Sequence, residues 1–156
     1  MKVKELMQES VATVRASDAL TQVDDLMKTG WVRHLPVVDA TDRVLGVVTQ
    51  RDLLRASMSS AASVDRDEQQ RWLAQVLVRD VMTKRPITIE PEADLAEAVD
   101  ALLTGKFGCL PVVENGKLVG LLTETDLLRH LQERLRKKSR ERSIVAAAKK
   151  KQRSLT

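Results

Sequence analysis

Apolar residues recur at helical spacing in two stretches of the chain that lie about 75 residues apart. Each stretch carries one apolar stripe of an amphipathic helix, with these positions: Leu20, Val23, Leu26 and Met27 in the first, and Leu95, Val99, Leu102 and Leu103 in the second. Both stretches end in a glycine, Gly30 or Gly105, and we expect that glycine to stop the helix in the left-handed conformation. The pattern therefore predicts two similar helices.

Nearly continuous apolar runs follow each predicted helix, as is typical of strands in a covered sheet. "LPVV" occurs at 35–38 and again at 110–113, and each copy is followed by a second apolar run that contains a glycine. Asn115-Gly116 between the second pair of runs is a strong signal for a two-residue hairpin turn. The first pair has the longer connection "DATDR" at 39–43. We therefore predict two β-hairpins.

The two halves of the chain are copies of one unit of about 55 residues. At an offset of 75, shortened to 74 after the hairpin turn, residues 3–55 match 78–129 at seventeen positions, where chance gives roughly three. A short strand precedes each helix, "VATV" at 11–14 and "PITI" at 86–89. The predicted fold class is α/β (α+β), with two pseudo-symmetric β-α-β-β-α repeats. A lone unit of this size buries little surface, so we expect the repeats to pack together around a pseudo-two-fold axis.

The repeats leave two segments of the chain outside them. We place the first repeat at 3–56 and the second at 78–131. The linker at 57–77 contains a predicted helix in its second half, where we expect Trp72 to be a packing residue. Residues 132–156 continue the last helix as a basic tail, and we expect roughly the last ten of them to fray.

Composition indicates the cellular compartment and limits the classes of partner. No apolar run approaches the roughly 18 residues of a membrane-spanning helix, and the N-terminus lacks the apolar core of a secretory signal, so we expect a cytoplasmic protein without a membrane partner. Residues 132–156 carry ten Lys/Arg and two Asp/Glu, a net charge of +8, whereas the rest of the chain has a net charge of −4. With two Trp, one Phe and no Tyr, the chain lacks the stacking faces on which single-strand nucleic-acid binders depend.

The sequences "TQRDLLR" at 49–55 and "TETDLLR" at 123–129 predict the same strand-to-helix corner in both copies. The helix N-terminus presents backbone N–H groups to a phosphate, and the threonine hydroxyl can donate to a phosphate oxygen. The aspartate three residues later can accept two hydrogen bonds, which suits the 2′ and 3′ hydroxyls of a ribose. The same spacing is also that of a capping box that only stabilises the helix start. The residues alone leave both interpretations open and favour the cap.

The order of these motifs resembles the cystathionine-β-synthase (CBS) domain: "VxxLM", a Thr-containing strand, a helix ending in Gly, "LPVV" and "GxxTxxDLL". The tandem resembles the paired unit called a Bateman module, and the whole chain resembles a stand-alone CBS-pair protein. The resemblance implies a regulatory sensor, not an enzyme, that requires no cofactor. It implies binding of an adenosine-containing ligand (AMP, ADP, ATP, S-adenosylmethionine or NAD) between the repeats, a flat homodimer, and a regulated protein that responds to the ligand-bound state.

The resemblance also assigns candidate ligand contacts in this sequence. Asp52 and Asp126 are the ribose-binding positions, and Thr49 and Thr123 lie near the phosphates. Adenine is expected at the short strands and at the start of each hairpin, with these candidates: Val11, Thr13, Leu35, Pro36, Ile87, Thr88, Leu110 and Pro111. Ordinary sheet core is the alternative role for these side chains.

The two corners differ in the charge beside the aspartate. Arg51 precedes Asp52, whereas Asp126 follows the neutral Thr125 and the acidic Glu124. A guanidinium attracts a phosphorylated ligand and an extra carboxylate repels it. We therefore predict unequal sites, with Arg51 as a phosphate contact and the Asp52 corner preferred.

No catalytic or metal site is predicted from the sequence. His34 and Cys109 occupy equivalent positions before the "LPVV" strands, but no third or fourth ligand accompanies them, so we interpret both as structural. No nucleophile, base and acid stand at a recognisable spacing, and no Walker loop is present.

The basic tail leaves several interpretations open. Its charge can bind nucleic-acid phosphates or another anionic partner, in which case the CBS pair is a dimeric scaffold. It can equally pair with the acidic body of a neighbouring subunit, or only keep the helix solvated. Leu128, Leu131 and Leu135 form a short apolar seam that offers a dimer contact.

Overall fold

The computed structural model describes residues 1–59 and 65–153, with the side chains of 1–58 and 65–147. After a 3₁₀ turn at Val3–Glu5, the first repeat contains α1 (Leu20–Gly30), β1 (His34–Val38), β2 (Val44–Thr49) and α2 (Gln50–Ser59). The linker contributes α3 (Arg66–Leu73). The second repeat contains α4 (Val78–Val81), β3 (Thr83–Lys84), α5 (Leu95–Gly105), β4 (Cys109–Glu114), β5 (Lys117–Thr123) and α6 (Glu124–Arg153). Met1–Leu122 form one compact unit, and a second unit begins at Thr123.

The mixture of helices with two small sheets confirms the predicted α/β repeat fold. One sheet has the strand order β1-β2-β3 and the other the order β4-β5. In the first sheet β1 and β2 run antiparallel, and the register places His34 opposite Thr49. The end of β2, from which α2 begins, therefore lies beside the start of β1.

Each repeat donates its leading segment to the sheet of the other repeat. In the first sheet, β3 pairs with β2, with Thr83 opposite Val47. At the equivalent place in the second, Gln8 and Leu121 exchange two backbone hydrogen bonds of 2.9 Å. Sequence periodicity contains no information about this exchange, because it pairs residues far apart in the chain.

Glycines permit this close approach in both sheets. A Cβ atom on Gly46 would lie 2.7 Å from the carbonyl oxygen of Thr83, and one on Gly120 would lie 2.9 Å from that of Gln8. Both distances are shorter than an ordinary carbon–oxygen contact. Glycine is therefore needed at the centre of each second strand because the backbone of the other repeat passes directly over it.

The leading segments also clasp the opposite helices. The linker clasp (residues 76–84) bonds to the start of α1, where Leu20 N–H donates to the Val76 carbonyl at 2.9 Å. The N-terminal clasp (residues 1–8) bonds to the start of α5, where Leu95 N–H donates to the Met1 carbonyl at 2.9 Å. These equivalent bonds show that the pseudo-two-fold relation extends to individual backbone atoms.

The N-terminal clasp is also fastened by ion pairs. Lys2 Nζ lies 2.8 Å from Asp94 Oδ1, and Lys4 Nζ lies 2.5 Å from Glu92 Oε1. The hydrogen bond that Lys2 donates to Asp94 raises the pKa of Lys2 and lowers the pKa of Asp94. The hydrogen bond that Lys4 donates to Glu92 likewise raises the pKa of Lys4. At the positions equivalent to Lys2 and Asp94, the linker clasp has Leu77 and Ala19, which bridge through the backbone.

The short strands predicted at 11–14 and 86–89 are reduced to single bridges. Val14 bridges Val37 in parallel, and Ile89 bridges Val112 in parallel. Residues 8–14 therefore run from the second sheet to the first, and residues 83–89 run from the first sheet to the second. We call them the crossing segments. Their two ends belong to different sheets, which leaves each segment too short to form a regular strand.

The helix ends differ from the expectation of a left-handed glycine. The residues in the left-handed conformation are Trp31, at φ 52°, and Lys106, at φ 54°, one position after the predicted glycines. Gly105 instead makes room, since a Cβ there would lie 2.0 Å from the Phe107 ring. The prediction of a glycine stop was therefore wrong by one residue.

The hairpin turn in the second repeat confirms the prediction. Asn115 and Gly116 have φ angles of 51° and 80°, as a type I′ turn requires. In the longer first turn, Asp39 Oδ1 accepts hydrogen bonds from Thr41 and from the Arg43 amide. The threonine hydrogen bond lowers the pKa of Asp39, because it favours the ionised carboxylate.

The linker helix α3 packs on the first repeat. Leu73 is buried in its core, and the Trp72 indole Nε1 donates to the Ala56 carbonyl at 3.0 Å. Gln70 Nε2 donates to Asp24 Oδ2 on α1 at 3.3 Å. These contacts agree with a packing role for Trp72. Residues 60–64 of the linker lie outside the described residues.

The second unit consists largely of α6, a 30-residue helix. All of its residues from 131 to 147 are exposed, including Leu131 and Leu135. The helix continues to Arg153, and residues 154–156 of the tail lie outside the described residues. Among the described residues, no helix combines the length and apolar character needed to cross a membrane.

Candidate functional site

The first corner is a reciprocal cap between Thr49, the last residue of β2, and Asp52 in the first turn of α2. Asp52 Oδ2 accepts hydrogen bonds from the Thr49 amide and hydroxyl, both at 2.8 Å. The Asp52 amide in turn donates to Thr49 Oγ1 at 3.3 Å. The structure therefore contains the cap, and the hydrogen bond to Asp52 uses the single proton of the Thr49 hydroxyl.

The cap uses only one oxygen of the Asp52 carboxylate. Asp52 Oδ1 makes no hydrogen bond with any described residue, and the side chain is half-buried. Arg51 beside it is exposed and makes no ion pair with the described part of the chain. The Gln50 amide at this turn is already bonded to the Arg33 carbonyl at 2.9 Å. Beside the cap, this corner therefore has one carboxylate oxygen without a hydrogen bond from the described residues and one exposed guanidinium.

The second corner repeats the cap with the same atoms. Asp126 Oδ2 accepts from the Thr123 amide at 2.9 Å and from its hydroxyl at 2.6 Å, and the Asp126 amide donates to Thr123 Oγ1 at 3.3 Å. Asp126 is 4% exposed, and its Oδ1 lies 3.7 Å from Arg129 Nη1. Both oxygens of this carboxylate therefore have protein partners.

The adenine candidates of the first repeat converge on the Thr49 end of the sheet. Because Val14 bridges Val37 in parallel, the preceding residues Val11 and Thr13 run beside the first residues of β1. Those residues lie opposite the end of β2, where Thr49 stands. Val11 is half-buried on a cluster that contains Val47 of β2 and Leu121 of β5, and Thr13 is exposed.

The candidates at the start of each hairpin lie inside the core. Leu35, Pro36, Leu110 and Pro111 are buried. The Pro36 carbonyl accepts from the Val14 amide and the Pro111 carbonyl from the Ile89 amide, both at 3.1 Å. Core packing accounts for these side chains, and their assignment to adenine stays a prediction. Ile87, 53% exposed, and Thr88 are open to solvent on the other crossing segment.

A contact between the repeats at this end of the sheet was missed from sequence. A Cβ on Gly108 would lie 2.4 Å from His34 Nε2, so the imidazole of the first repeat rests on the backbone of the second. The neighbouring Cys109 is buried with Val47 and Leu121. Within the described residues, no group of three or more His, Cys, Asp or Glu side chains is placed to hold a metal ion. A glycine three residues after a helix carried no signal for this contact.

Comparison with known proteins identifies the family to which this fold belongs. The family model of the CBS domain matches residues 3–59 and 78–133. A CBS domain-containing protein of Dictyostelium discoideum is 31% identical over 127 residues, which cover 81% of this chain and 88% of that protein. Some curated relatives are much longer, and the chain spans only 21% of an inosine-5'-monophosphate dehydrogenase from Korarchaeum cryptofilum.

Solved structures share the whole fold. A Vibrio cholerae protein assigned to acetoin utilization (AcuB) has a TM-score of 0.74 at 31% identity, covering 90% of this chain and 96% of that one. CBSX2 of Arabidopsis thaliana, solved in complex with AMP, has a TM-score of 0.70 at 28% identity, covering 85% of this chain and 96% of that one. With both repeats matched by the family model, the chain belongs to the CBS domain family, as a tandem pair with the Bateman-module fold.

Proposed function

We propose that this CBS pair is a regulatory sensor that binds an adenosine-containing ligand at the Asp52 corner. The state of Asp52 carries the proposal: Thr49 fixes its carboxylate through Oδ2, while Oδ1 bonds no described residue. Such an oxygen is held in place and can accept a hydrogen bond from a ribose hydroxyl. The AMP complex of CBSX2, a relative of the same fold, supports this ligand class.

The charge at the corner favours a phosphorylated adenosine. Arg51 is exposed beside Asp52 and offers a guanidinium to a phosphate, whereas the Thr49 hydroxyl proton already bonds Asp52. We therefore assign the phosphate contact to Arg51 rather than to Thr49. AMP, ADP and ATP fit this arrangement better than S-adenosylmethionine, whose positive sulfonium would face Arg51.

The crossing segment at 8–14 is the expected adenine contact. Val11 supplies half-buried apolar surface and Thr13 an exposed edge beside the start of β1. A flat base needs an apolar surface on which to lie and a few polar groups at its rim. Ile87 and Thr88 hold the equivalent positions on the other crossing segment, and the assignment of adenine to them remains a separate prediction.

The same segment provides a route from ligand to partner. Gln8 is hydrogen-bonded to Leu121 in the second sheet, while Val14 bridges the first sheet. A ligand that contacts both this segment and the Asp52 corner favours one relative arrangement of the two sheets. A regulated protein that binds only that arrangement would respond to nucleotide concentration.

A homodimer is part of the proposal. The exposed Leu128, Leu131 and Leu135 lie along one stripe of α6 and are 65%, 51% and 59% exposed. Apolar stripes of this kind are covered in stable proteins, and a second copy offers the same stripe.

The sequence also leads us to expect a cytoplasmic location. At that location the protein would meet free adenine nucleotides, which are the proposed ligands.

Isothermal titration calorimetry with AMP, ATP, S-adenosylmethionine and NAD tests the function. We expect AMP or ATP to bind with one strong site per chain. Asp52→Asn retains an oxygen that can accept from Thr49 and so keeps the cap, but removes the charge and the second acceptor oxygen. We expect this variant to weaken AMP binding about tenfold, equal to about 1.4 kcal/mol.

Asp126→Asn is the matched control, since it makes the same change at the corner whose carboxylate oxygens both have partners. We expect it to leave the strong site intact. Absence of binding by all four ligands at millimolar concentration would refute the proposal. Equal weakening by the two substitutions would place the ligand elsewhere.

A further inference from the structure

A strongly charged helical segment extends beyond the CBS pair. The family match ends at residue 133, whereas α6 continues to Arg153. Six of the nine residues from 134 to 142 are basic, and all of the residues from 131 to 147 are exposed. The proposed nucleotide site uses none of them. We call residues 132–153 the basic extension.

Basic residues outnumber acidic ones ten to two in the basic extension, so Glu133 and Glu141 leave most of its positive charge uncompensated. The ion pair of this helix, Arg129 with Asp126, lies before the extension. Like charges stand four residues apart at Arg134 and Lys138 and again at Arg136 and Arg140, and such pairs repel along a helix. A polyanionic partner would remove this repulsion, so the segment is better suited to a bound state than to isolation.

The basic side chains project from opposite sides of the helix. At about 100° per residue, Arg134, Lys138 and Arg142 lie on one side, while Arg136 and Arg140 lie on the other. A partner with anionic walls on both sides of the helix can therefore contact both sets. The major groove of B-form DNA, about 12 Å wide and lined by phosphates, admits a helix of about 10–12 Å diameter.

The apolar residues argue against a membrane surface. Leu135, Ile144 and Val145 are exposed but lie on different sides of the helix, so they form no continuous apolar face. Residues 132–156 contain no aromatic side chain, which removes the stacking surface that single strands require. The major groove of A-form RNA is too narrow for a helix. Among membranes and nucleic acids, duplex DNA is the partner that fits the remaining features.

We infer that the basic extension binds duplex DNA in the major groove through phosphate contacts, without strong sequence preference. Lys and Arg contacts to phosphates position a protein on DNA but carry little sequence information. This activity goes beyond nucleotide sensing. It would bring a ligand-responsive module onto DNA.

Fluorescence anisotropy of the full chain with a labelled mixed-sequence DNA duplex tests the inference. The main variant replaces Arg136, Lys137, Lys138, Arg140 and Arg142 by Gln, which keeps helix propensity nearly constant. We expect at least a tenfold loss of affinity. The slope of log K against log salt should fall by about 0.9 for each phosphate contact removed. Circular dichroism on the same variant verifies that it remains folded.

The opposite variant replaces Glu133 and Glu141 by Gln and raises the charge of the extension, so we expect tighter DNA binding. AMP binding by the five-site variant should stay at the wild-type level, which separates this inference from the proposed sensor function. Undiminished DNA binding by the five-site variant would overturn the inference. Tighter binding to duplex RNA or to phosphatidylserine vesicles than to DNA would also overturn it.

Discussion

The two strand-to-helix corners share one hydrogen-bonding scheme and differ in what surrounds it. Threonine and aspartate make the same three bonds at the same atoms in both, with distances that agree to 0.2 Å. Asp126 is buried and pairs through Oδ1 with Arg129. Asp52 is half-buried, and its Oδ1 makes no hydrogen bond with any described residue. The duplicated motif thus has two local states.

This difference separates capping from ligand binding in physical terms. A cap needs one carboxylate oxygen, since Oδ2 accepts both threonine bonds in each copy. The other oxygen can serve a ribose hydroxyl or an arginine, but not both fully. Two copies of the same sequence motif are therefore not equivalent sites. The partner of the second carboxylate oxygen decides whether the aspartate can bind a ligand.

The largest expected effect is on stability. Asp126→Ala removes the cap and leaves the Thr123 amide and hydroxyl without their acceptor, beside a buried position, so we expect a loss of about 2–3 kcal/mol in the free energy of unfolding. Asp52→Ala removes the same cap where water reaches the corner, so we expect a loss of about 1 kcal/mol. Urea unfolding followed by circular dichroism measures both.

The corresponding Asn variants are the controls for this pair. Asn keeps an acceptor for the threonine, so each should recover part of the loss. Equal losses for Asp52→Ala and Asp126→Ala would contradict the claim that the two corners differ in their surroundings.

The next effect concerns the phosphate. Arg51→Thr gives the first corner the neutral residue that the second has at Thr125, and we expect AMP affinity to fall about tenfold, or about 1.4 kcal/mol. Adenosine has no phosphate, so its affinity should not change. Calorimetry with both ligands measures the contrast. A parallel loss of AMP and adenosine binding would mean that Arg51 does not contact the phosphate.

Most of the fold was predictable because it follows from local patterns. The helical stripes of α1 and α5, the paired "LPVV" strands and the Asn115-Gly116 turn each depend on a few neighbouring residues. The duplication then predicted the same order of these elements in both halves of the chain. The helix ends were predicted one residue too early. Gly105 is required because the Phe107 ring lies against it, and not because the backbone there is left-handed.

The exchange between repeats was beyond local reasoning. Gly46 and Gly120 lie in apolar strands, and only the structure shows that Thr83 and Gln8 of the opposite repeats pass over them. The candidate site was predictable to the same degree. The Thr49–Asp52 spacing was visible in the sequence, but the oxygen used by the cap and the burial of Leu35 depend on packing.

A smaller effect tests the ion pair that distinguishes the second corner. Arg129→Gln removes the 3.7 Å contact with Asp126 Oδ1, and since Arg129 is largely exposed we expect a loss of only about 0.5 kcal/mol. The loss should shrink at about 1 M salt, where the Debye length is about 3 Å. Salt-dependent urea unfolding measures it. An unchanged stability at low salt would mean that burial alone distinguishes Asp126 from Asp52.

The smallest effect compares the two clasps and depends on pH. In the N-terminal clasp, the bond to Lys2 lowers the pKa of Asp94 from 3.8, so its contribution to stability is present above that value and is lost as pH falls through the lowered pKa. The raised pKa of Lys2 acts in the other direction, with its contribution present below 10.5 and lost as pH rises above it.

Lys2→Met gives the N-terminal clasp an apolar residue, as the linker clasp has at Leu77. We expect this variant to unfold at slightly lower urea concentration than the wild type at pH 7 and at the same concentration at a pH below the lowered pKa of Asp94. The ion pair of Lys4 with Glu92 remains in both proteins and cancels in the comparison. A difference that persists in acid would assign the role of Lys2 to packing of its stem rather than to its charge.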